Sequence, residues 1–293
     1  GHSESHHNLE EALAQYTGQQ RALLFASGYT ANLGVFSSLR DEIDWVLQDK
    51  LNHASLIDGN RLIGLPVQRY LHNNLESLEN KLKKQTGTGL IVTDNVFSMD
   101  GDRANIEGIK TIAAQSGALL MQDDAHGFGI FESTIPDHSI YMATLGKAAG
   151  VMGAFVSGSS DLIEFLIQKS RPYIYTTAIS PSMCVATLKS LELIKKGEQK
   201  EKLFSNINYF KDCAETLDLH FEPSESAIQP LIIGSSNNAL ILSNKLFEAG
   251  YFVSAIRPPT VPPNSARLRF TLSTNHSFSQ IESLLQKVKD VMA

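Results

Sequence analysis

From Arg21 onward the chain alternates short apolar runs with longer stretches whose apolar side chains recur every three or four residues. The runs are "RALLFASG" from Arg21, "DWVLQD" from Asp44, "LIVTDNVFSMDG" from Leu90, "ALLMQDDAHG" from Ala118, "IYMATLGK" from Ile140 and "GAFVSG" from Gly153. Runs of that length predict buried strands, and the three-and-four spacing between them predicts helices. Their alternation predicts an α/β fold with a mainly parallel sheet covered by helices on both faces. Residues 1–19 read as a loop entering a helix, and 181–217 as a linking helical stretch after "YIYTTAISP". From 218 the pattern changes to strand "IQPLIIG", helix "NNALILSNKLFEAG", strand "YFVSAI", proline-rich "RPPTVPPN", strand "ARLRFTLS" and a final amphipathic helix. The predicted organisation is therefore an N-terminal loop and helix (1–19), a large α/β domain (20–180), a linking stretch (181–217) and a small C-terminal α+β domain (218–293).

Composition narrows the function classes. A chain of 293 residues, 42% hydrophobic and 19% charged, has enough apolar material for one large core or two domains, which excludes disorder. A net charge of −6, with no basic cluster longer than "KLKK", leaves no footprint for nucleic acid or an anionic membrane. The expected partners are small molecules or protein. No apolar run approaches the roughly 18 to 20 residues that span a bilayer, and no signal-peptide pattern is present, so a cytoplasmic location is expected. The two cysteines, Cys184 and Cys213, lie too far apart for a C-x-x-C pair, and no histidine stands at metal spacing, so no metal site is expected. His2, His6 and His7 read as flanking a helix start.

Three polar groups stand where strand runs end, the positions at which ligands bind in open parallel sheets. "FASGYTAN" places backbone N–H groups at a helix start, which suits a phosphate, although such turns are also common without one. "QDDAHG" puts two acids and a histidine directly after an apolar run, where burial without a partner is costly. "TLGK" sets Lys147 among small residues, which predicts a poorly solvated amine available as a nucleophile or for a Schiff base. A lysine for an aldehyde, an acid for a pyridine nitrogen and donors for a phosphate together describe what pyridoxal 5′-phosphate requires. A flavodoxin-like or Rossmann nucleotide binder shares the α/β pattern but lacks a G-x-G-x-x-G turn after the first strand and has no use for Lys147.

The motifs "RALLFASGYTANLGV", "DKLNHASLIDG", "VTDNVFSMDGD", "DDAHGFG", "ATLGKAAG", "YIYTTAISP", "SAIQPLIIG" and "AIRPPTVPPNSARLRFTLS" occur in one order over nearly the whole chain. In that order the sequence resembles the α-oxoamine synthases, which are fold-type I pyridoxal phosphate enzymes. It is most similar to the branch that makes 8-amino-7-oxononanoate, in biotin biosynthesis, from L-alanine and a pimeloyl thioester of coenzyme A or acyl carrier protein. The resemblance implies a seven-stranded-type sheet and a homodimer whose active site is shared between subunits. It also implies residue roles. Lys147 carries the cofactor and Asp123 pairs with its ring nitrogen. His126 and Ser98 contact the ring-oxygen side, and His53 stacks on the ring and meets the substrate. Gly28, Tyr29 and Thr144 hold the phosphate, joined by Thr177 reaching into the neighbouring subunit. Thr260 and Arg269 contact substrate, the arginine holding a carboxylate; strand alternation alone leaves Arg267 open as the other candidate.

The sequence departs from this family's pattern in two places. The family's N-terminal region, with a glycine-rich segment, is missing before Gly1, and "GIFESTIPDHS" replaces a longer loop between His126 and Lys147. Because the bordering motifs are intact, we expect residues omitted there rather than a shortened, non-catalytic ligand-binding form. The glycine-using sister enzymes, 2-amino-3-ketobutyrate ligase and 5-aminolevulinate synthase, are the other catalytic alternatives.

Overall fold

The computed structural model describes residues 1–132, 135–136 and 139–292 and carries two compact units. The first comprises Gly1–Phe97 and Ala104–Lys195, and the second Ser98–Arg103 and Lys196–Ala293. The substituted loop before Lys147 falls partly on positions 133, 134, 137 and 138, outside the described residues.

The first unit is built on strands β1 (Arg21–Phe25), β2 (Trp45–Asp49), β3 (Gln68–Tyr70), β4 (Gly89–Asp94), β5 (Leu119–Asp123), β6 (Ile140–Thr144) and β7 (Ala154–Gly158). Its helices are α1 (Glu4–Thr17), α2 (Gly28–Leu39), α3 (Ala54–Ile63), α4 (Leu75–Leu82), α5 (Ile106–Ser116), α6 (Ser160–Lys169), α7 (Arg171–Ile174) and α8 (Pro181–Lys196). The strands form one sheet in the order β1-β7-β6-β5-β4-β2-β3. Parallel pairing joins β2, β3, β4, β5 and β6, whereas β7 runs antiparallel to both β1 and β6. Because β7 reverses twice, β1 points the same way as β6. The carboxyl ends of β1, β6, β5, β4 and β2 therefore share one edge, which carries every polar group singled out at a strand end.

Alternation along the strands decides which side chains face which helices. Leu23, Val46, Val92, Met121, Met142 and Val156 join Ala31, Val35 and Phe36 of α2 and Leu56 of α3 in one buried cluster. On the other face Leu24, Tyr141, Ala143 and Phe155 pack with Leu9 and Leu13 of α1 and Leu191 of α8. Asp123 follows Met121 by two residues and so emerges on the α2 and α3 side.

Three details differ from the expected pattern. The run from Leu90 leaves the ladder after Asp94, because the Asn95 N–H turns to the Asp123 carbonyl at 2.7 Å. The three-residue β3 at the sheet edge carried no strand signature. The 181–217 stretch is two helices, α8 and α9 (Glu198–Thr216), interrupted at Gly197, whose φ of 80° is left-handed.

The second unit continues with β8 (Ile228–Gly234), α10 (Ser236–Glu248), β9 (Ser254–Ile256), β10 (Ala266–Thr271) and α11 (Phe278–Met292). Its sheet is antiparallel in the order β8-β10-β9, with a register shift between Ala266 and Arg267.

Helices α2 and α3 meet closely at Gly59, where an added Cβ would lie 2.4 Å from Cδ2 of the fully buried Phe36 ring. A rigid ring in a packed cluster cannot yield at its far end. Gly59→Ala is therefore expected to lower stability by about 1–3 kcal/mol, the usual cost of overpacking, measured by urea unfolding.

Candidate active site

Asp123 ends the central strand β5 and is 4% exposed, so its carboxylate has lost most of its water. Two donors replace that water: Asn32 Nδ2 gives a hydrogen bond to Oδ2 at 2.8 Å, and the Ala125 N–H gives one to Oδ1 at 3.0 Å. Burial still raises its pKa, opposed first by the Asn32 and Ala125 bonds and then by the electrostatic influence of His53 and Lys147. Those last two influences place His53 and Lys147 within electrostatic reach of Asp123. Asp124, next along the chain, projects to the other face, where it accepts the Tyr141 hydroxyl at 2.7 Å and is itself buried.

His53 caps α3. Its backbone N–H donates to Asp94 Oδ2 at 2.8 Å, and its ring Nδ1 lies 2.7 Å from Ser55 Oγ. His53 itself is exposed. Asp94, at the end of β4, has a pKa well above the ordinary carboxylate range. Burial is the largest cause and the neighbouring Asp123 the next, offset in part by the His53 N–H and by Lys147.

The start of α2 is shaped as an anion would need it. Ser27 caps the helix by accepting the Thr30 N–H at 3.2 Å, and the Gly28 and Tyr29 N–H groups occupy the first turn, where no preceding helical carbonyl can reach them. A Cβ on Gly28 would stand 2.6 Å from Thr144 Cγ2, so only glycine allows α2 to begin this close to the end of β6. The Tyr29 hydroxyl is engaged with Asp58 at 2.8 Å, which leaves its backbone rather than its side chain for the helix start. Thr144 Oγ1 donates to the Ala125 carbonyl at 3.4 Å, which ties the end of β6 to the turn carrying the half-buried His126.

Lys147 follows β6 in a turn and is exposed, contrary to the expectation of a poorly solvated amine. The reason is geometric: the neighbouring Gly146 and Ala148 are also exposed and too small to cover a four-carbon side chain. Thr177 lies exposed beyond α7 and lines a cavity of about 300 Å3 with His6 and Phe25.

In the second unit the two arginines of β10 are spent differently. Arg267 is buried and ion-paired through Nη1 to Asp100. Arg269 donates Nη1 to the Ser98 carbonyl at 3.0 Å, and its buried Nε has no partner among the described residues. Burial lowers the Arg269 pKa. Thr260 is exposed in the proline-rich segment.

Asn32, Ser55 and Asp94 were not singled out from the sequence. Asn32 carried a signal nonetheless, since it stands one turn after Gly28 on the stripe of α2 that buries Ala31, Val35 and Phe36.

The aminotransferase class I and II family model matches residues 1–288. An 8-amino-7-oxononanoate synthase of Pseudomonas entomophila is 50% identical over 302 residues, covering 99% of this chain and 77% of that protein. Among solved structures, the 8-amino-7-oxononanoate synthase from Francisella tularensis is 31% identical with a TM-score of 0.86, covering 100% of this chain and 88% of that one. A serine palmitoyltransferase from S. paucimobilis with bound PLP–myriocin aldimine is 27% identical with a TM-score of 0.91, covering 99% and 77%.

Asp94 and Asp123 both have folded pKa values raised above the ordinary 3.8. Their protonated forms therefore stabilise the fold fully below that value, and the contribution is lost as pH rises through the raised values. Asp94→Asn keeps an acceptor for the His53 N–H and removes that loss. In the cofactor-free protein it is expected to raise the thermal midpoint at about pH 7 and to flatten the dependence from about pH 4 upward, read by calorimetry.

Proposed function

The chain belongs to the aminotransferase class I and II family, and from that premise we infer that it is a pyridoxal 5′-phosphate-dependent acyltransferase carrying out the 8-amino-7-oxononanoate synthase reaction. The observation that carries this reading is the buried Asp123 at the end of β5, with Lys147 in the turn after the adjacent β6 and both within one electrostatic neighbourhood. The residues fit the cofactor on their own chemistry. A cationic ring N–H at Asp123 would reverse the pKa rise that burial imposes, and the Gly28 close approach opens backbone donors beside Thr144 for a phosphate.

In this reading Lys147 would hold the cofactor covalently through Nζ, Asp123 would accept the ring N–H, and His53 would lie against the ring face. His126 and Ser98 would address the ring-oxygen side, and Gly28, Tyr29 and Thr144 the phosphate. When bound, pyridoxal phosphate supplies an electron sink for the α-carbon of an attached amino acid. The residues do the rest. Asp123, ionised, would keep a proton on the ring nitrogen. Lys147, displaced by the substrate amine, would take the α-proton and later return one, a general base and acid at one atom. Arg269 would take the substrate carboxylate. Its Nε has no partner among the described residues, whereas Arg267 is neutralised by Asp100. Thr260 would contact substrate nearby in sequence.

The substrates we propose are L-alanine and a pimeloyl thioester carried by coenzyme A or acyl carrier protein, joined with loss of carbon dioxide. We also propose a homodimer, in which Thr177 would reach the partner's phosphate; the exposed Ile174 and Tyr175 beside it support a covered surface there. Among the described residues no helix is long and apolar enough to cross a membrane, and the free thiols of Cys184 and Cys213 support a reducing, cytoplasmic setting.

Two measurements check this. L-alanine with pimeloyl-coenzyme A is expected to give 8-amino-7-oxononanoate and carbon dioxide, and turnover with glycine alone would contradict the reading. Arg269→Lys is expected to raise KM for L-alanine by roughly 10- to 100-fold with a smaller change in kcat, since a bidentate charged contact is worth about 1.5–3 kcal/mol.

A further inference from the structure

A chain of hydrogen bonds runs from Asp123 through the buried side chains of Asn32 and Ser55 to the exposed His53. Asn32, fully buried, directs Nδ2 at two acceptors, Asp123 Oδ2 and Ser55 Oγ, each at 2.8 Å. Ser55, 1% exposed, places the same Oγ 2.7 Å from His53 Nδ1. An ionised carboxylate only accepts, so the amide nitrogen, not its oxygen, must face Asp123. The Asn32 Oδ1 is left buried with no partner among the described residues. A buried amide that forgoes one bond to make two specific ones is held for those two.

The direction of the last bond is also fixed. The Ser55 backbone N–H, which only donates, lies 3.3 Å from His53 Nδ1. Nδ1 therefore presents its lone pair, the Ser55 hydroxyl donates to it, and the ring hydrogen sits on Nε2, the nitrogen facing away from Ser55. Every donor in the chain points outward from Asn32: one N–H to the carboxylate, the other to the hydroxyl, and the hydroxyl to the imidazole.

We infer that Asn32 is a positioning residue that locks the Asp123 carboxylate and, through Ser55, the tautomer and tilt of the His53 ring as one unit. In this role Asn32 touches neither cofactor nor substrate. It sets, from a single amide, the carboxylate that would face the ring nitrogen and the imidazole that would face the ring plane, so the two cannot drift independently. A residue serving only to pack α2 on the sheet would have no effect on the His53 ring.

The inference rests on the cofactor reading for its use, but not for its geometry, and the test separates the two. In cofactor-free protein carrying ring-15N histidine, NMR is expected to show His53 with its hydrogen on Nε2. That tautomer is expected to become mixed in both Ser55→Ala and Asn32→Ala. In the cofactor-loaded enzyme, Ser55→Ala is expected to lower kcat about tenfold with cofactor affinity retained, whereas Asn32→Ala lowers both by about tenfold. The double variant should match Asn32→Ala rather than multiply the two losses. A hydrogen on Nδ1 in the unaltered protein would overturn the inference even if Asn32→Ala failed to fold. So would an unchanged His53 tautomer in both variants, or losses that multiply. Failure of the cofactor to bind the unaltered protein would instead remove the cofactor reading and leave the tautomer result standing.

Discussion

A carboxylate buried at the end of the middle strand is the constraint from which the rest of the first unit follows. Asp123 sits where β4, β5 and β6 end together, under α2 and α3, with almost no access to water. An isolated ion there would be costly, and the surroundings answer the cost with the Asn32 amide, the Ala125 N–H and, at longer range, the His53 ring and the Lys147 charge. These donors offset burial only in part, since the pKa remains raised. In the function proposed above, the pyridinium of pyridoxal phosphate would be the positive partner, and the energetic liability of burial would become the grip on the cofactor.

The sheet turns that one interaction into a site. Parallel strands bring their carboxyl ends to one edge, so residues far apart in sequence, Gly28, His53, Asp94, Asp123, Thr144 and Lys147, arrive at neighbouring strand ends or helix starts without long connecting loops. The close approach of Gly28 to Thr144 then fixes where α2 starts against the end of β6, and the capped start of α3 sets the imidazole. Within the second unit the two arginines of β10 share a face, and pairing with Asp100 separates the structural Arg267 from Arg269.

Six of the seven strands of the large sheet were legible because each is an apolar run of strand length, and the charged groups at their ends stood out against that background. The edge strand β3 was not legible, because three residues carry too little pattern. The antiparallel course of β7 was not legible either, since the composition of "GAFVSG" is the same in either direction. Asp123 and Lys147 could be singled out because a charge ending an apolar run calls for an explanation. Asn32 and Ser55 could not be assigned in advance, because their roles depend on which strand end α2 and α3 cross, a tertiary fact. The exposure of Lys147 shows the complementary error: small neighbours leave room around an amine but do not dry it.

The claim that Asp123 is the ionised partner of a protonated cofactor ring is tested most directly by 15N NMR of the enzyme loaded with ring-15N pyridoxal phosphate. The account predicts a protonated ring nitrogen at neutral pH in the unaltered protein and its loss in Asp123→Asn. An unprotonated ring nitrogen in the unaltered enzyme would contradict it.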